Sequence, residues 1–431
     1  MIAHKISVIL FIFIYCILSF SPLLAEGLSP QNPKIDQRAE ELYNQGISCY
    51  AKKEYEKALP YFKKAVKHKA DFADAYFRIG YSCNKLKRFE EAIEAYKKVI
   101  GIKPDFEEAY FNLGVAYFNL GKYSEAIESY EKAKNLKPND PKVHCKLGWL
   151  YYKLGKIKRA IESYEKAIQI DPDYSLANYN LGVAYEALGK LEKAVIAYKK
   201  AIKNNIGYEE AYYNLGMVYF ELGKFTESIH ALKNVIKIDA KNNLAYEAIA
   251  KIYKNLGYEQ EAIEAYKKVI ELNPTDGNAY LNIGIIYCQK REYGEAIKFF
   301  KDAVKLNSEI VQAYYNMGVA YIQLEKWDEA INELHTAIQQ KPKNDKALDY
   351  LGMAYFFQQK YEEACNAFKQ AISINPDNAK AHFHLGITYF SLGDKDAALE
   401  EYEILKGLDE KLAEELIKKI KKWKSWGQAE N

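Results

Sequence analysis

The residues best placed to do chemistry in this chain are amides set in register. Asparagine stands at positions 44, 112, 180, 214, 282 and 316, all separated by multiples of 34 residues, and the other positions of the series hold Arg78, Lys146, Ala248, Tyr350 and His384. A primary amide offers both donors and an acceptor, so a row of them can hydrogen-bond the backbone of an extended peptide whatever its side chains. Aromatic residues keep the same register. Tyr179, Tyr213, Tyr315 and Phe383 come one residue before members of the series, and Phe118, Phe220, Phe356 and Phe390 come six residues after. Such rings either fill a core or grip apolar peptide side chains. The candidate peptide-binding set is Asn112, Asn180, Asn214, Asn282 and Asn316 with Tyr179, Tyr213 and Tyr315.

Other chemistry finds no support. The Leu-Gly-Lys segments at 120–122 and 154–156 imitate the end of a phosphate loop, but Tyr123 and Ile157 follow where a Ser or Thr must hold the metal. His382 and His384 are two residues apart, so on a helix they point to different faces and do not share a metal. No CxxC occurs, and Cys49, Cys83, Cys145, Cys288 and Cys365 read as small buried apolar residues. No catalytic, metal or cofactor-binding residue is assigned, and no enzyme is expected. Charged residues make up 28% of the chain for a formal net charge of +3. No strong basic field therefore calls for nucleic acid.

The amides are carried by a repeat. Stepping by 34 residues from Gly114 reaches Gly46, Gly80, Gly148, Gly182, Gly216, Ala250, Gly284, Gly318, Gly352 and Gly386. Twelve residues after each comes Ala58, Ala92, Ala126, Ala160, Ala194, Ser228, Ala262, Ala296, Ala330, Ala364 or Ala398. Self-similarity at this period marks a stacked helical array. Eleven repeats beginning at residues 39, 73, 107, 141, 175, 209, 243, 277, 311, 345 and 379 cover 39–412 with no insertion or deletion. In the third, apolar residues at helical spacing predict a helix from Glu107 to Leu120, ended by Gly121, and a second from about Ser124 to Lys137, closed by Pro138. A glycine inside a helix costs roughly 1 kcal/mol against alanine, and close approach of the two helices is the expected return.

With Tyr110, Leu113, Gly114, Tyr117, Ala126, Tyr130, Ala133 and Pro138 in this order, the repeat resembles that of the tetratricopeptide repeat proteins. The resemblance implies an all-α, right-handed superhelical solenoid of eleven hairpins whose first helices line a concave groove, with the asparagine series facing that groove. In this respect the chain is similar to the superhelical arm of O-linked N-acetylglucosaminyltransferases, without their catalytic region. Asparagine is also common at this position of the family, which leaves a purely structural reading of the series open. Proteins or extended peptides are the implied partners. Chaperone-tail clamps place a lysine just before the asparagine series, and here Tyr43, Phe77, Phe111, Cys145 and Tyr179 stand there instead. The seventh repeat departs from the pattern with Ala248, Ala250, Glu247, Lys251 and Lys254, through drift or a charged contact with the ligand.

The two ends differ from the array. His4 and Lys5 precede the uncharged run 6–24, followed by Ala25 and a polar stretch up to Arg38. This reads as an export signal, either cleaved after Ala25 or retained as a membrane anchor, with a flexible linker over 26–38. Either route puts the repeats outside the cytoplasm, in the periplasm or tethered to a membrane. At the other end Asp409 is expected to cap a helix over 409–426 whose Leu412, Leu416, Ile420 and Trp423 form one stripe, covering the end of the array before a tail at 427–431. The expected function is a non-catalytic scaffold that binds extended peptides and assists assembly or secretion in the cell envelope. The alternative is an accessory subunit of a separately encoded enzyme such as a glycosyltransferase.

Overall fold

The computed structural model describes residues 33–426, with side chains placed over 36–421. The signal expected over 1–25 and the tail at 427–431 lie outside these residues, as does the side chain of Trp423. The described residues form 23 helices and no strand. In the third repeat the helices are Glu107–Asn119 and Tyr123–Leu136, each bound within about one residue of the sequence expectation. The first described helix, Pro33–Ala51, begins inside the stretch expected as linker. Proline is favoured at the first helical position because its missing N–H is unsatisfied there anyway.

One backbone device closes every hairpin. The residue seven after the marker glycine has positive φ in all eleven repeats, at Gly121, Gly155, Gly189, Gly223, Gly257 and Gly393 but also at Lys53, Lys87, Arg291, Glu325 and Gln359. Glycine accepts this left-handed conformation without penalty, whereas a side chain makes it cost roughly 1–2 kcal/mol. Proline at the other turn is dispensable. Lys137 before Pro138 has φ −135° and ψ 83°, and Lys69 before Ala70 turns in nearly the same way, with φ −131° and ψ 97°.

Seven of the ten marker glycines face an aromatic ring and the other three a leucine. A methyl group at Gly182 would lie 2.5 Å from Tyr198, and one at Gly46, Gly284 or Gly352 equally close to Phe62, Phe300 or Phe368. The ring belongs to the second helix of the same hairpin and lies flat where the glycine has no side chain. The small residue twelve positions on is fully buried in every repeat. Ser228, the one hydroxyl in that position, donates to the Gly216 carbonyl at 2.6 Å and so carries no unpaired polar group into the core.

The chain divides between Ile206 and Gly207 into two compact units. The first unit holds five hairpins, ending with Ser175–Glu186 and Leu191–Asn204. The second holds six, from Glu209–Glu221 and Phe225–Ile238 to Ala379–Ser391 and Lys395–Leu408, followed by the terminal helix Glu410–Trp426. Asp409 caps this last helix, accepting from the backbone N–H of Lys411 at 3.0 Å and of Leu412 at 3.1 Å. Ala413, Leu416 and Ile420 are buried against Phe383, Ala398 and Leu405, while Lys418, Lys419 and Lys421 face water. Leu416 takes the place on Gly386 that a second-helix side chain takes in the other glycine-marked repeats.

Candidate peptide-binding groove

Three positions of the asparagine series pack against the preceding repeat. Asn180 Nδ2 lies 3.8 Å from Cys145 Sγ, the Tyr350 ring is centred 5.8 Å from that of Tyr315, and His384 Nδ1 is 2.7 Å from Asp349 Oδ1. In each case the partner is the residue just before the series in the repeat before. These three positions therefore lie, half-buried, in the seams between neighbouring first helices, whereas Asn44 and Lys146 are exposed.

One asparagine of the series borders a cleft in the first unit, on the helices Glu107–Asn119, Pro141–Lys153 and Ser175–Glu186. The cleft, of about 270 Å³, is lined by Phe118, Cys145, Lys146, Trp149, Leu176 and Asn180 among others. Phe118 and Trp149 meet edge to face with ring centres 4.6 Å apart, and the Lys153 ammonium lies 5.0 Å from the Trp149 ring centre. Leu176 is 38% exposed across the opening. Burial pushes the Cys145 thiol up from its ordinary range, so at neutral pH Asn180 faces an uncharged sulfur. An amide, two rings and an exposed leucine around one cleft can hold a peptide group together with one apolar side chain.

The other members of the series are occupied in different ways. Asn112 Nδ2 donates to the Glu108 carbonyl of its own helix at 2.7 Å. Asn282 Nδ2 donates likewise to the Asn278 carbonyl, and Asn282 Oδ1 accepts from Lys254 Nζ at 2.7 Å. The amide nitrogen of Asn316 is buried and makes no hydrogen bond, and Asn214 is half-buried. The tyrosines are wedged beside the seams. Tyr179 packs on Tyr198 with ring centres 5.8 Å apart, and burial raises the hydroxyl pKa of Tyr213 and pushes that of Tyr315 up to about 12.

The charges of the seventh repeat are satisfied internally. Glu247 and Lys251 pair at 2.6 Å, and burial lowers the pKa of Lys254, which spends its ammonium on Asn282. In the last repeats His382 Nδ1 lies 2.6 Å from Glu401 Oε2 and its Nε2 lies 3.0 Å from the Pro376 carbonyl, so the two histidines bind separate partners. Among the described residues no group of three His, Cys, Asp or Glu side chains could hold a metal ion. Among them, too, no helix is long and apolar enough to cross a membrane.

Trp149 and Leu176 are absent from the candidate set read off the sequence. Trp149 could have been found there: its position is mostly aliphatic in the other repeats, with Val115, Val183, Ile285, Val319 and Ile387, and it is the only tryptophan on a described first helix.

Family profiles described as TPR repeat match residues 80–121, 116–155, 150–189, 185–223 and 352–393. Profiles described as tetratricopeptide repeat match 39–71, 209–242, 315–364 and 379–411. One described as anaphase-promoting complex, cyclosome, subunit 3 matches 255–337. Among solved structures, MamA is 32% identical over 38% of this chain and 95% of its own, with a TM-score of 0.37. YrrB, described as a TPR protein with an unusual peptide-binding site, is 24% identical over 44% of this chain and 99% of its own, with a TM-score of 0.40. Yeast Tom70 is 17% identical over 91% of this chain and 97% of its own, with a TM-score of 0.38. Comparison with curated proteins finds no match.

Proposed function

Because the chain belongs to the tetratricopeptide repeat family, we propose that it is a non-catalytic interaction scaffold that binds extended peptide segments along its first helices. The cleft between Phe118, Trp149, Leu176 and Asn180 carries this reading. It supplies an apolar socket and an amide at one place. Asn112 and the half-buried Tyr179 extend the surface on neighbouring first helices of the first unit, and the second unit carries Asn214 and the half-buried Tyr213 on a first helix of its own.

Selection of random peptides on the full chain tests the reading. Enriched peptides should be lost on Trp149→Ala and weakened on Asn180→Ala, and kept on Ile196→Asp, which alters an exposed residue of the second helix Leu191–Asn204. Peptides that ignore Trp149→Ala but are lost on Ile196→Asp would place binding on the opposite face.

The scaffold is proposed to act outside the cytoplasm, in assembly or secretion at the cell envelope, on the strength of the uncharged run 6–24 behind His4 and Lys5. Cell fractionation with N-terminal sequencing of the mature protein tests this. A cytoplasmic protein still beginning at Met1 would remove the envelope role and leave the scaffold.

A further inference from the structure

Four cations stand on the groove face of the first unit, at two positions of the repeat that carry no Lys or Arg in the second. The positions are those of Asn112 and Asn119. The second repeat places Arg78 and Lys85 there and the fourth places Lys146 and Lys153, with the two asparagines of the third repeat between them. In the second unit the same positions hold amides, Ala248, aromatic residues, Ser391 and the acidic Glu221.

Aromatic rings hold these cations. The Arg78 guanidinium lies 4.8 Å from the Tyr50 ring centre, Lys85 lies 5.3 Å from Tyr81 and Lys153 5.0 Å from Trp149, while Lys146 lines the Trp149 cleft. A ring face attracts a cation without neutralising it. Acids of the second helices and of a helix start pair with other cations: Glu91 with Lys63, Glu56 with Arg88 and Asp74 with Lys103. Among the described residues no ion pair joins any of the four cations to a carboxylate, and exposed Glu108, four residues before Asn112 on the first helix of the third repeat, lies in sequence between the two pairs. The second unit shows what the fold does with a groove charge that has a partner: Lys251 is paired with Glu247.

We propose that the first helices of repeats two to four bind an acidic, extended segment of a partner protein. Its side-chain carboxylates meet Arg78, Lys85, Lys146 and Lys153, and an apolar side chain enters the cleft beside Trp149. This rests on the peptide-groove reading and adds the charge of the peptide. Cations on rings also suit single-stranded nucleic acid. The two pairs are separated by a repeat that offers amides and Glu108, which opposes a continuous phosphate backbone.

Fluorescence anisotropy on the full chain decides the matter, with labelled, C-terminally amidated peptides of repeated Ser-Glu-Leu and controls carrying Gln or Lys for Glu. Amidation removes the terminal carboxylate as the ligand. The Glu peptide should bind about tenfold more tightly than the Gln peptide, the summed effect of several exposed charge contacts. That margin should shrink as salt rises, narrow in a Lys146→Gln/Lys153→Gln variant and vanish when Arg78→Gln and Lys85→Gln are added, with the melting temperature unchanged. Equal binding of the Glu and Gln peptides, both weakened by Trp149→Ala, would overturn the acidic preference and leave the groove reading standing. Binding of no peptide, or binding indifferent to Trp149→Ala, would overturn both. Tighter binding of labelled oligothymidylate, abolished by the lysine substitutions, would put nucleic acid in place of the acidic segment.

Discussion

Asn180 in the first unit and Asn282 in the second occupy the same position of the repeat, on the same face of the same kind of helix. Their surroundings give them different work. Asn180 faces a cleft with two aromatic walls, its amide nitrogen 3.8 Å from the neutral sulfur of Cys145. Asn282 is held on both sides of its amide, by Lys254 and by the Asn278 carbonyl. An amide already holding a half-buried ammonium has little left for a peptide. Position in the repeat thus supplies the functional group, and the residues one repeat away decide whether it is free to be used.

The largest expected effect separates the packing that both units share from the sites that differ. Gly182→Leu should cost about 3 kcal/mol or more, because even a methyl group there would lie 2.5 Å from the buried Tyr198 ring. Ala250 in the second unit already carries a methyl group beside the fully buried Tyr266, so Ala250→Gly should cost only about 1 kcal/mol through helix propensity. Urea unfolding of the two variants compares them directly, and equal costs would mean that the glycine does not set the hairpin spacing.

Removal of Trp149 sharpens the contrast at the level of binding. Trp149→Ala should weaken a groove peptide by about 2 kcal/mol, the scale of an aromatic hot spot. Ile285→Ala, at the same position in the second unit, should leave the affinity of that peptide unchanged. Isothermal titration of both variants reads this out, and matching losses would erase the distinction between the two grooves.

The asparagines themselves divide next. Asn180→Ala should lower peptide affinity by roughly 1 kcal/mol with little change in melting temperature, the net worth of one hydrogen bond. Asn282→Ala should do the opposite, lowering stability by about 1 kcal/mol as Lys254 loses its partner while binding holds. If both variants lose binding and neither loses stability, the asparagine series works as one ladder and the difference in surroundings is immaterial.

The smallest effects lie in the turns. Arg291→Gly or Gln359→Gly in the second unit should stabilise by up to about 1 kcal/mol, since both residues hold a left-handed conformation at φ 61° and 63°. Gly189→Ala in the first unit, at φ 66°, should destabilise by a similar amount. Differential scanning calorimetry resolves changes of this size. A neutral Gly189→Ala would show that the turn adapts.

The fold was legible because its signals are local and repeated. Gly114, Ala126 and Tyr130 lie within one hairpin, and a constant period exposes each as a column. Gly121 announced its turn, whereas Lys87 or Glu325 could not: packing of the flanking helices imposes the same backbone on residues with no preference for it. The start of Pro33–Ala51 was hidden in a stretch that reads as linker, although Pro33 and Asp36 are start signals in hindsight. The site was legible by position and not by partner. Lys254 reaches Asn282 across 28 residues and Cys145 meets Asn180 across 35, one period less or more by a fraction of a helix. A search for pairs at those separations, rather than for single columns, would have told the engaged asparagine from the one beside the cleft.

The socket at Gly386 has a bearing on how such an array lengthens. Leu416 enters it from the terminal helix with one branched side chain, where the other glycine-marked repeats use a Tyr, Phe or Leu of their own second helix. The last hairpin therefore differs from the rest at a few contacts and not in plan. A duplicated 34-residue cassette inserted ahead of it would meet the same seams on both sides and leave the closing helix undisturbed. Growth or loss of whole repeats in the middle is then nearly neutral for folding. The residues at the seam, by contrast, change neighbours with every such event, and the chemistry of the groove can be rewritten by rearrangement alone.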